Sequence, residues 1–133
     1  MRSVGLFILL SLMTGCVSDP PTAPGRPLDV EIVLGPGDIT TIDGTSFRLR
    51  FEGVMGDSRC PADAFCIQGG DALVRISVYA SRGPLTTYDL HTGNLRPIRH
   101  EDLTVALKEL SPYPFSAHPI APGDYRATIR VTR

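Results

Sequence analysis

Beyond Gly15 the chain lacks any apolar run long enough to cross a bilayer, which takes about 20 residues for a hydrocarbon core of about 30 Å. An excess of one charge is missing too. Lys and Arg number 13 against 14 Asp and Glu, so nucleic acid has no electrostatic footprint to bind. There are 3 cysteines, and no further Cys or His pair stands at the spacing of a zinc ribbon or finger. No serine sits in a Gly-x-Ser-x-Gly elbow, and no motif points to a cofactor. Tryptophan is absent altogether, and no internal repeat is visible.

What is present begins with an export pattern. Arg2 near the start, the apolar run Val4 to Leu12 and the small residues Thr14 and Gly15 form the three parts of a secretory signal over 1–15. Leu12-Met13-Thr14-Gly15-Cys16 resembles the bacterial lipobox, in which a small residue precedes a cysteine that takes a diacylglyceryl group and becomes the new N-terminus. A thiol is the nucleophile such chemistry needs. The resemblance implies a lipid-anchored protein of the cell envelope. Several acyl chains at about 0.8 kcal/mol per buried methylene would hold it on the membrane indefinitely. Val17 rather than aspartate follows Cys16, which by resemblance to the sorting rule of enteric bacteria implies the outer membrane, facing the periplasm.

Lipidation of Cys16 leaves Cys60 and Cys66 as a pair in an oxidising compartment, and a disulfide between them is expected. Residues 16–27, with Pro20, Pro21, Pro24 and Pro27 among small and polar residues, read as an extended tether.

From Leu28 to Arg133 the dominant period is two. Phe47, Leu49 and Phe51 alternate with Arg48, Arg50 and Glu52. Ala72, Val74, Ile76 and Val78 repeat the pattern, as do Tyr125, Ala127, Ile129 and Val131. Leu28 to Leu34 makes a first strand that Gly35-Pro36-Gly37 ends, and Ile39 to Ile42 and Leu85 to Leu90 add weaker strands. Leu103 to Leu110 could be a short helix by composition, but its alternation predicts a strand. About seven strands without a long helix predict one antiparallel β-sandwich of immunoglobulin-like or Greek-key type, with a small barrel as the alternative.

Asp57 to Asp71, between two confident strands, is too long for a tight hairpin, and a Cys60–Cys66 bridge would staple it. Gly69 and Gly70 would let the backbone turn back into the next strand. The run Asp57-Ser58-Arg59-Cys60-Pro61, followed by Cys66, Gly70 and Ala72, resembles a family of uncharacterised small secreted and lipid-anchored bacterial proteins. Gln68 stands where that family has tryptophan. The resemblance implies a fold and a location, and no activity. Asp57, Ser58 and Arg59 are a candidate interaction cluster. Their alternative role is local: Asp57 and Ser58 bonding nearby amides, Arg59 pairing with a carboxylate.

His91, His100 and His118, with Asp89 and Glu101-Asp102 nearby, are candidate ligands or bases by type. Their isolated positions instead predict solvated surface. Arg48, Arg50, Arg75, Arg126 and Arg130 are expected to point outward, either lining one sheet face as an anion-binding surface or solubilising it. The function expected is non-enzymatic binding of an envelope protein or cell-wall component, or support of an assembly, through loops at one end. A hydrolase with a cryptic site is the first alternative. The second is a protease inhibitor presenting the stapled loop, although nothing in Pro61 to Phe65 singles out a substrate-like residue.

Overall fold

The computed structural model describes residues 28–80 and 83–133, so the export signal, Cys16 and the proline-bearing segment lie outside the described residues. Eight strands follow in order: β1 (Asp29–Leu34), β2 (Ile39–Thr41), β3 (Arg48–Asp57), β4 (Ala72–Tyr79), β5 (Leu85–His91), β6 (Ile98–His100), β7 (Leu103–Ser111) and β8 (Arg126–Thr132). They form two antiparallel sheets of four, ordered β1-β8-β7-β6 and β2-β3-β4-β5. No strand pairs across the two sheets among the described residues, so the architecture is a sandwich and not a barrel.

The alternation seen in the sequence decides which side chains fill the gap between the sheets. Leu49 and Phe51 of β3 lie opposite Val78 and Ile76 of β4, and all four are fully buried. Val105 and Leu107 of β7 face the same interior, paired with Val131 and Ile129 of β8. The segment from Leu103 is a strand, as its period of two predicts. The eighth strand, β6, went unforeseen, because three residues after Pro97 are too few to display a period.

Two predicted surface features are corrected by the fold. His100 is not solvated: it is buried at the end of β6, its Nδ1 2.8 Å from the Tyr88 hydroxyl and its ring edge-on to Phe47. Tyr88 of β5 and Phe47, just before β3, accept an imidazole as a flat apolar filler with one polar handle. The outward arginines do not share one sheet face either. Arg48, Arg50 and Arg75 lie on the β2-β3-β4-β5 sheet, and Arg126 and Arg130 on the other.

Each arginine is also occupied locally. Arg75 forks onto Asp89 at 2.7 and 2.9 Å, Arg130 onto Asp29, and Arg50 lies 3.5 Å from Glu52. Arg48 lies over the Tyr79 ring, and Arg126 donates to the carbonyls of Gly123 and Tyr125. Changing Arg48 and Arg126 together to glutamine is expected to move unfolding free energy by about 0.5 kcal/mol or less, checked by urea titration.

Antiparallel pairing gives the sandwich two distinct poles. The ends of β3, β5 and β7 and the starts of β4 and β8 meet at one pole, as the reach from Arg59 to the Leu110 carbonyl confirms. β1 starts at the other, where the Arg133 amide donates to the Leu28 carbonyl at 3.1 Å. The loop carrying Cys60 and Cys66 and the N-terminal end of the described chain are therefore at opposite poles.

Candidate functional site

β3 reaches the first pole because it is bulged twice, between Phe51 and Gly53 and between Val54 and Gly56. Gly53 takes φ 138°, a conformation that a side chain would strain. The extra residues carry Asp57 to the rim of the sheet, where the loop begins. Its neck is closed by Ser58. The Ser58 amide donates to the Asp71 carbonyl at 2.7 Å, while its Oγ donates to the same carbonyl at 2.9 Å and accepts from the Asp71 amide at 3.1 Å. Ser58 thus bonds backbone 13 residues away. At the returning limb, a Cβ on Gly70 would lie 1.5 Å from the Ser58 carbonyl oxygen. Gly69 meets nothing within 4 Å, so of the two glycines only Gly70 is fixed by packing.

Arg59 joins this neck to the opposite sheet. Its Nε and Nη2 fork onto the two Asp57 oxygens at 2.9 and 2.7 Å. Nη1 donates to the Leu110 carbonyl at 2.7 Å and Nη2 to the Pro112 carbonyl at 3.0 Å. Tyr113 stacks against the guanidinium at 5.2 Å, and the Tyr125 hydroxyl donates to Asp57 Oδ2 at 3.0 Å. The side chains of Arg59 and Asp57 are only 5% and 11% exposed.

Burial alone would raise the Asp57 carboxyl. The bonds from the Arg59 side chain and amide, its charge and the Tyr125 hydroxyl outweigh that and hold it below the usual carboxylate range. The Tyr125 hydroxyl is shifted up by burial and by the carboxylate it serves. An arginine with its donors spent on a carboxylate and two carbonyls is a fastener. It ties β3 to the exit of β7.

The Cys60–Cys66 disulfide is present, with α-carbons 6.0 Å apart. Between the cysteines the Ala64 amide donates to the Pro61 carbonyl at 3.0 Å, turning the chain. The loop also rests on 112–118: the Ala62 amide donates to the Pro114 carbonyl at 2.9 Å, and the Ser116 amide to Asp63 Oδ1 at 2.8 Å. Every residue from Ala62 to Gly69 is nonetheless exposed. Phe65 and Ile67 are wholly so, at 103% and 102%, and Leu95, Tyr113 and Phe115 are about half exposed near the loop's base. A hollow of about 270 Å³ beside it is lined by Asp57, Pro114, Phe115, His118 and Tyr125, among others.

Replacing both cysteines with serine should cost about 2 kcal/mol, the chain-entropy value for a ring of this size, and leave a foldable sandwich. Urea unfolding of the double variant checks it. A foldable product is expected because Arg59 and Ser58, not the disulfide, join the loop to the sheets.

Beside the neck, Asp71 and His91 form a second polar group. His91 Nδ1 lies 2.5 Å from Asp71 Oδ2, and Asp71 Oδ1 accepts from the Thr92 hydroxyl at 3.1 Å and the Gly93 amide at 2.8 Å. Burial pushes this carboxyl up, but the Gly93 amide, His91 and Thr92 hold it below the usual range. An open depression of about 290 Å³, bordered by Gly56, Asp57, Ser58, Asp71 and Leu73, adjoins it.

An aspartate–histidine pair can orient an imidazole as a base, but catalysis needs a nucleophile on the other nitrogen. The Ser58 hydroxyl is spent on the Asp71 backbone, and no hydrogen bond joins it to His91 among the described residues. Asp89 pairs with Arg75 rather than His91, and Asp102 with Arg133. No group of three metal-ligating side chains occurs among the described residues.

Tyr125, Tyr113 and Asp71 were not among the residues picked from sequence for this pole, whereas Gly70 was, as a turn residue. Asp57 and Arg59 were, and a signal for their pairing existed. Two residues apart in a continuing extended segment, they share a face, as period-two counting carried past Val54 would show. No protein-family model matches the chain, nor does any curated protein or solved structure.

Proposed function

We propose that the chain is a non-enzymatic envelope lipoprotein, anchored through Cys16 on the outer membrane, that binds a protein or cell-wall component with the stapled-loop pole of its sandwich. The observation carrying this reading is the full exposure of Phe65 and Ile67 on a loop fastened to both sheets. Bulky apolar side chains on a mobile loop would fold back against the body. Here the backbone is held outward, so the apolar area stays available to a partner. The poles agree with an N-terminal anchor: a tether arriving at Leu28 leaves the loop at the far end, beyond a β3 roughly 33 Å long at about 3.3 Å per residue. The loop then points away from the membrane that holds it.

Two measurements test the two halves of the reading. Crosslinking in intact envelopes should give an adduct that is lost when Phe65 and Ile67 are both changed to alanine, and an adduct pattern identical in that variant refutes the binding half. Fractionation should move Cys16→Ser protein from the membrane pellet to the soluble fraction. Retention equal to the parent refutes the anchor.

The alternative of a hydrolase has one observation in its favour, the Asp71–His91 pair beside an open depression. Among the described residues no serine or cysteine side chain is hydrogen-bonded to His91, as a nucleophile activated by it would be. His91→Ala would abolish turnover of an envelope substrate on that reading, and leave loop-dependent crosslinks unchanged on the preferred one.

A further inference from the structure

The structure singles out what the sequence did not, one residue of the loop presented as a protease substrate would be. Phe65 is fully exposed at the apex, its neighbour Cys66 points back into the disulfide, and Ile67 projects outward again. The peptide groups of Phe65, Cys66 and Ile67 make no hydrogen bond among the described residues, and none of the three has a positive φ. The chain bends at Ala64 and again at Ile67, and the free donors and acceptors of Phe65 and Cys66 between those bends are what an enzyme cleft can pair with. The segment is nevertheless tied down on both flanks. It is flanked by the Pro61–Ala64 turn, the rests on Pro114 and Ser116, and a neck closed by Ser58 and Arg59.

We propose that 64–67 docks substrate-like in a serine protease whose specificity pocket accepts an aromatic side chain, with Phe65 in that pocket, and that the chain inhibits the enzyme. This rests on the reading of the stapled-loop pole as a binding surface. The chemistry follows from where the staple sits. Attack of the protease serine oxygen on the Phe65 carbonyl carbon gives an acyl ester and breaks the Phe65–Cys66 peptide bond. The serine proton passes to the enzyme's histidine and then to the departing Cys66 amine. In a free peptide that amine diffuses away and water hydrolyses the ester. Here Cys66 stays bonded to Cys60, one position from the broken bond, so the amine remains beside the ester. It attacks the same carbonyl, re-forms the peptide and returns the proton to the serine oxygen, which outpaces hydrolysis because the reaction is intramolecular. Phe65 fits a hydrophobic slot of chymotrypsin type, whereas a trypsin-type pocket with a buried aspartate would reject it.

The test titrates the full-length chain into α-chymotrypsin and, separately, trypsin, following hydrolysis of a small chromogenic ester. Saturable inhibition of chymotrypsin and none of trypsin is expected. Phe65→Ala should weaken it about 30-fold or more, as removal of a central aromatic anchor does. Phe65→Lys should transfer inhibition to trypsin, a gain that no loss of folding can mimic. Changing Cys60 and Cys66 to serine should convert the inhibitor into a substrate cut after Phe65. Full chymotrypsin activity in the presence of excess parent protein, or steady turnover of the stapled loop, overturns the proposal. If envelope adducts still depend on Phe65 and Ile67 in that case, the binding reading survives and the protease assignment alone falls. If they do not, both fall.

Discussion

Arg59→Met is expected to be the most damaging single substitution at the loop pole, costing about 3 kcal/mol at neutral pH, the lower end for breaking a buried ion pair from one side. The loss is not that of an attraction alone. Methionine fills much of the same volume, so the cavity contribution is small, but Asp57 is left as a nearly buried carboxylate with the Tyr125 hydroxyl as its side-chain donor. The carbonyls of Leu110 and Pro112 lose their donors as well.

The pH dependence separates this account from generic loosening. In the parent, Asp57 sits below its ordinary value of 3.8, so it contributes stability that is present above that value and lost as pH falls through the lower folded value. Without Arg59 the order reverses. Burial then dominates, the carboxyl rises, and the folded state takes up a proton more readily than the unfolded chain. The stability gap between parent and variant should therefore be widest near neutrality and narrow on acidification towards pH about 4. Adding Asp57→Asn to Arg59→Met should recover part of the loss, since an amide needs no counter-charge. Urea titrations of the three variants across pH check all of this. A gap independent of pH would show that Asp57 is not the group left exposed to the loss.

The strands that build the core were readable because their two faces differ. Leu49 against Arg50, Ile76 against Arg75 and Ile129 against Arg130 each state which way the chain faces, and one face had to be buried. β6 and His100 escaped for a related reason. Three residues carry too little pattern, and nothing local tells a histidine that Phe47 will lie against it from another sheet. The clamp was half legible. Asp57 and Arg59 are two positions apart in the chain, but the carbonyls that Arg59 reaches are 51 and 53 positions away and Tyr125 is 68 from Asp57. Such pairs exist only once the sheets have stacked.

The exposed pole also has a cause in the fold's connectivity. The loops after β3, β5 and β7 share one end because the strands before them run the same way, and the arch from β1 to β2 crosses the sheets by a separate route, with the Gly37 amide bonded to the Phe51 carbonyl at 2.7 Å. Leu95, Phe65 and Tyr113, from three different loops, thereby stand at one pole without any of them packing into the core. A partner recognising this pole would read a surface that is composite in sequence, with the stapled loop its most exposed apolar part. Flattening that loop should weaken binding even where every apolar residue is retained.

Gly70→Ala makes that last statement measurable, and its effect should rank second only to loss of Arg59. The added methyl would sit 1.5 Å from the Ser58 carbonyl oxygen and 2.9 Å from the Arg59 Cα, both backbone atoms that cannot rotate aside. One limb of the neck must therefore move by an ångström or more. Moving it stretches the three bonds between Ser58 and Asp71 and tilts Arg59 away from the Leu110 carbonyl. Overpacking of this kind costs about 1–3 kcal/mol, and with rigid backbone on both sides the value should fall near 3. Gly69→Ala is the matched control, because a Cβ there meets nothing within 4 Å and its expected change is within about 0.5 kcal/mol. Amide exchange locates the damage: protection at Ser58 and Asp71 should fall in Gly70→Ala while that of β7 and β8 away from the pole stays at the level set by global unfolding. Equal stability of the two glycine variants would mean that the limbs do not touch as described. The loop would then owe its position to Arg59 and to the rests on Pro114 and Ser116, and the Ser58 neck would not be what holds Phe65 away from the body.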